Sequence, residues 1–136
     1  MMLLSSPALA EDYIATIKIV SGEARVVATD HSVRPATVGQ TLQQDDILET
    51  GKDGALGVTF IDDTTLSMGW SSRIALSKVV FNPDKGAFAF AMRLIKGTFM
   101  FTSGGVARLR PNAVAISTPV ATIGIRGTRF LVEVSE

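Results

Sequence analysis

The residue types that commonly carry chemistry are few in this chain and poorly grouped. It has no cysteine, which removes thiolate nucleophiles, thiolate metal sites and disulfides together. Its one imidazole, His31, lies in the polar run "TDHSVRP", the setting of a loop residue rather than of a general base. Asp62 and Asp63 could act as paired carboxylates or open a Ca²⁺ loop, but no further oxygen ligands follow at loop spacing, and a hairpin turn accounts for both. The stretch "FTSGGVAR" has the glycines of a phosphate loop without its Gly-Lys-Ser/Thr, and reads as a flexible turn. No Gly-x-Ser-x-Gly elbow is present. The expectation is a protein that is not an enzyme and carries no cofactor or metal.

The remaining chemistry is cationic. Residues 1–84 hold six Lys/Arg against eleven Asp/Glu, and residues 85–136 hold seven against two, so a net charge of zero conceals halves of −5 and +5. Nucleic-acid binders carry a domain-wide basic excess, which a pI near 6.6 excludes here. Arg108, Arg110 and Arg129 are the candidate partner contacts of the basic half. Phe88, Phe90, Phe99 and Phe101 could stack bases, although alternating aromatics on neighbouring strands usually form a core.

The elements that must position these residues are strands. Alternation and β-branched runs punctuated by glycine prevail over any helical period. From Tyr13, one face carries Ile14, Thr16, Lys18 and Val20 and the other Tyr13, Ala15, Ile17 and Ile19. "GVTFIDDTTLSMGW" is the clearest hairpin, with Val58 and Phe60 answered by Leu66, Met68 and Trp70 across an Asp62–Asp63 turn. Ile74, Leu76, Val79 and Phe81 form the apolar face of the next strand, which ends at Asn82-Pro83. An alanine–aromatic alternation then runs through Phe88, Phe90, Met92 and Leu94 to Gly97, and resumes at Phe99 and Phe101. About nine to eleven short strands in a single all-β domain follow from this spacing, as a sandwich or a short β-solenoid. The solenoid alternative rests on "KGTFMF" at 96–101 and "RGTRFL" at 126–131, a basic-Gly-Thr step with phenylalanine close behind it, repeated after thirty residues.

The first residues, "MMLLSSPALA", have the small-x-small ending of a secretory leader, so residues 1–10 are expected to be a leader and 11–136 the domain. The location this implies is periplasmic or secreted. No run reaches the roughly 18 apolar residues of a membrane helix.

The segment "TPVATIGIRGTRFLVEV" at 118–134 sets two cations and two glycines in what is otherwise an apolar strand. Glycine inside a strand marks a bulge or a close backbone approach, so Gly124 and Gly127 are expected to bend it, with Thr128 satisfying a freed backbone group. Arg126 is then the brace of the fold. Arg129, alternating with Phe130, faces outward.

This segment resembles the closing signature of FecR-type domains: Thr118-Pro119, an apolar step around Gly124, then Arg126-Gly127-Thr128 and Phe130. The resemblance extends to residues 38–76, with an acidic pair, a Thr-Gly turn, an Asp-containing hairpin and a Ser-Arg-apolar strand. It implies an extracytoplasmic all-β module for sensing or interaction. In the founding type such a domain belongs to a membrane-anchored sigma regulator that receives a signal from an outer-membrane iron-siderophore receptor. This chain shows no sigma-binding region or membrane helix and is expected to be a short secreted relative. The expected partner is another envelope protein, met through a sheet edge or loop face, with self-association through the terminal strand also open. The alternative is an anionic cell-envelope polysaccharide held by the basic half.

Overall fold

A computed structural model describes residues 13–123 and 129–135. In chain order its strands are β1 (Ala15–Ser21), β2 (Ala24–Val27), β3 (Val33–Pro35), β4 (Thr41–Leu42), β5 (Ile47–Thr50) and β6 (Ala55–Phe60). There follow β7 (Thr65–Met68), β8 (Arg73–Asn82), β9 (Ala87–Thr102), a one-turn helix α1 (Gly105–Leu109), β10 (Val114–Ser117), β11 (Thr122–Ile123) and β12 (Arg129–Val134). The all-β expectation holds, with twelve strands among the described residues.

The strands form one curled sheet in the order β3-β2-β5-β8-β9-β7-β6-β1-β4. β12 is added to β9, and β10 joins β9 and β11. Every pair is antiparallel except β9–β10. The sixteen-residue β9 belongs to both halves of the curl. Its first part pairs with β8 and β10, and its second part with β7 and β12.

The bend in β9 comes at Gly97, whose φ of 110° lies in a region that L side chains avoid. A bulge just before it, between Leu94 and Lys96, offsets the alternation by one residue, so the inward positions pass from Leu94 to Phe99 without a polar residue entering the core. The two halves thereby close on one apolar centre. Phe60, Phe99 and Phe101 are its largest fully buried side chains, each worth about 2–3 kcal/mol of burial. Phe60 meets Phe90 edge-on at 5.0 Å, Phe90 meets Phe101 at 6.4 Å, and Phe101 stacks on Phe130 at 5.0 Å. This file of rings joins β6, both parts of β9, and β12. The aromatics are therefore core, with Phe88 half-buried against Phe81.

Four local expectations are corrected. Trp70 does not return on the hairpin's apolar face: β7 ends at Met68, and Trp70 is 70% exposed in the following turn. A bulge between Ile17 and Ile19 turns Ile19 outward, and at the start of the strand Ile14 is buried beside Ala15. The glycines of "FTSGGVAR" form no flexible turn. Gly104 and Gly105 are buried at the start of α1, and a side chain on Gly104 would overlap Thr64 and Asp62. The repeat does not stack as rungs where it is described: Arg129–Leu131 pair antiparallel with Thr102–Met100, Phe130 opposite Phe101.

Candidate interaction surface

One polar cluster secures the bend at Gly97, and a second secures the β6–β7 hairpin and α1. Ser72 Oγ accepts a hydrogen bond from Thr98 N at 3.0 Å, while Ser72 N donates to Thr50 Oγ1 at 2.9 Å. Thr50 Oγ1 donates to Gly69 O at 2.7 Å, so the crossing between the two halves at residues 69–72 is fully tied down. In the other cluster Asp62, 1% exposed, accepts from Thr64 N at 3.0 Å, Thr64 Oγ1 at 2.9 Å and Val106 N at 3.0 Å. Its carboxylate therefore caps the β6–β7 hairpin and pins α1 to it. Asp63 takes the left-handed turn position at φ 70° and is exposed. Hairpin chemistry does account for the pair.

β12 is paired by β9 along one edge, from Arg129 opposite Thr102 to Val134 opposite Gly97. Its other edge has no strand beside it among the described residues. Phe130, Val132 and Val134 pack inward against the core, and Arg129, Leu131 and Glu133 face out. Leu131 is 62% exposed and lies opposite Met100, itself 39% exposed. Trp70 lines a hollow with Glu133 and Val134.

The outer face of this half carries an ordered row that the sequence does not announce. Thr41 lies opposite Thr16, Thr16 opposite Thr59, Thr59 opposite Thr65, Thr65 opposite Thr102, and Thr102 opposite Arg129. Strands run about 4.8 Å apart, so the threonines form a continuous ladder that ends at the arginine. The alternation of threonine in five strands is visible in the sequence, but their common register is set by long-range pairing.

The proposed site residues distribute as follows. Arg129 is exposed at the end of the threonine row, and Phe130 is inward, as alternation requires. Arg108 is exposed and its Nη1 donates to Ser103 O at 3.3 Å, which brings it to the end of β9 where Arg129 lies. Arg110 does a different job, with its guanidinium 5.1 Å from the centre of the Phe88 ring. Thr118 organises the β10–β11 reversal: its Oγ1 accepts from Val120 N and Ala121 N, and Pro119 is exposed beside it. Gly124, Arg126, Gly127 and Thr128 lie outside the described residues, as do residues 1–10. His31 takes φ 70° in the β2–β3 turn, its N–H bonded to Ala28 O at 2.9 Å.

On the opposite half, Glu49 holds Arg25 at 2.6 Å and Arg73 at 2.9 Å across adjacent strands. The Glu49 hydrogen bond and charge raise the Arg25 pKa above its ordinary value. Among the described residues no helix is long and apolar enough to cross a membrane, and no three His, Asp or Glu side chains gather as a metal ion requires.

Comparison with curated proteins and with solved structures returned no match. The FecR protein family model matches residues 46–136, which include every strand from β5 to β12 and so the bent β9, its stapled hairpin and the terminal strand. That family is a regulatory and signalling one. With more than half of its length matched, the chain belongs to the FecR family.

Proposed function

We propose that this chain is an extracytoplasmic FecR-type module that docks a protein of the cell envelope through the open edge of β12. It performs no reaction of its own and works in the periplasm or after secretion. The observation that carries this reading is the combination of a six-residue strand paired on one side only, among the described residues, with an outward apolar pair, Leu131 and Met100. Open backbone groups next to exposed apolar side chains are what strand addition uses, the ladder supplying affinity and alternate side chains specificity. Arg129 at one end and Glu133 farther along give the edge a charge order that selects partner and direction. The same edge can receive a second copy of the chain, which makes self-association the competing occupant.

The test is retention of envelope proteins on the immobilised chain, compared with a Leu131→Lys variant, with the chain's oligomeric state followed in parallel. A protein retained by the first and lost by the second supports the reading. Equal retention by both removes it.

A second reading is an anionic envelope polymer, favoured by the convergence of Arg108 and Arg129 at the same end of β9. Retention of such a polymer falls steeply with salt, because exposed charges attract through a screened field. Docking through Leu131 and a backbone ladder changes little between low and high ionic strength.

A further inference from the structure

A second strand edge lies open on the other side of the molecule. β9 accompanies β8 as far as Asn82 opposite Ala87, but β5 accompanies it only at residues 73–75. The last contacts on that side are Asp45 N to Leu76 O at 2.6 Å and Leu76 N to Asp46 O at 2.9 Å. Asp45 then takes φ 71°, and the chain leaves toward β4. Residues 78–82 of β8 are left with no neighbour on that edge among the described residues. A groove of about 640 Å³ runs there, lined by Val80 and Asn82 of β8 and by Tyr13, Ile61, Gln43 and Asp45.

The geometry points to this groove as the binding site for an extended peptide segment of a partner, added to β8 as a continuation of the column that β5 begins. It rests on the reading of the chain as an interaction module and assigns that module a second, separate surface. Five residues of strand offer about 17 Å of ladder, enough for a peptide of five or six residues. Among the described residues the N–H and C=O groups aimed into the groove have no protein partner there, and a strand supplies them at the spacing a saccharide does not. Tyr13, Ile61 and Val80 suit alternate apolar side chains. Asp45 has no cation beside it among the described residues and stands where the existing ladder stops, so a lysine or arginine is expected at that end of the peptide. Lys78 and Pro83 at the two ends of the open stretch discourage indiscriminate pairing, as is usual for edges kept for a purpose.

The experiment is binding of two synthetic peptides, acetyl-Val-Thr-Ile-Ser-Val-Lys-amide and the same sequence ending with Glu, to the intact chain, with amide hydrogen exchange read residue by residue; a strand antiparallel to β8, as β5 is, brings its C-terminal residue to Asp45. The lysine peptide is expected to bind saturably, to slow exchange within residues 78–82, and to bind about fivefold more weakly to Asp45→Asn, as loss of one exposed ion pair requires. Asparagine keeps the left-handed turn at position 45, so that variant folds. Leu131→Lys is expected to leave peptide binding intact, which separates failure here from failure of the β12 reading. No saturable binding at millimolar peptide would overturn the assignment. So would protection confined to β12, equal affinity of both peptides, or slowed exchange at residues 78–82 with a neutral oligosaccharide in place of the peptide.

Discussion

Ser72 Oγ fills the space that a side chain on Gly97 would enter, and from that place it accepts the N–H of Thr98 at 3.0 Å. Gly97→Ala should therefore cost about 2–3 kcal/mol of unfolding free energy, combining strain at positive φ with the collision. Adding Ser72→Gly should not restore stability, because the Cα of residue 72 also lies in the way. Urea unfolding of the unaltered chain and the two variants measures this, and a tolerated Gly97→Ala would contradict the account of the bend.

Asp62 and Asp63 are adjacent and carry the same charge, yet they should respond oppositely. Removing the Asp62 carboxylate leaves two backbone N–H groups and the Thr64 hydroxyl without their acceptor in a buried place, so Asp62→Ala should cost about 2–4 kcal/mol. Asp63→Asn should be neutral within about 0.5 kcal/mol, since asparagine accepts the left-handed turn and the residue is exposed. Thermal unfolding of the pair is the check.

Trp70 is the single tryptophan and is largely exposed next to Glu133 and Val134. Its fluorescence should be that of a hydrated indole and be readily quenched by acrylamide. A strand seated on the outer edge of β12 should reduce the quenching, whereas occupation of the groove beside β8 should leave it unchanged.

The Asp30 carboxylate, bonded by the Ser32 hydroxyl and N–H, titrates below the ordinary aspartate value of 3.8. A lowered folded pKa means that this contact stabilises the turn above the ordinary value and is lost as pH falls through the lowered one. In Ser32→Ala the Asp30 titration seen by NMR should move up toward 3.8. Because the group is fully exposed, the accompanying change in global stability should be small.

The sequence made the strands legible wherever one side of the alternation is buried, as at Val58, Phe60, Leu66 and Met68. It misplaced Trp70 and Ile19 because a turn and a bulge interrupt the alternation there, and neither leaves a local mark beyond a glycine or a lysine. Glycines 104 and 105 look like a turn in sequence, but their smallness serves close packing against Thr64, Asp62 and Phe81. The outward position of Arg129 followed from its place next to Phe130. The threonine row, the open edge of β8 and the pairing of residues 97–102 with 129–134 depend on which strands meet, and no local pattern encodes that.

The most direct test of docking through β12 is a photo-crosslinking residue placed at position 131, with a second at Leu109, exposed on α1, as the reference. Illumination in the envelope fraction should give a discrete protein adduct from position 131 and none from position 109. Adducts from position 109 alone, or no adduct from position 131, would contradict it.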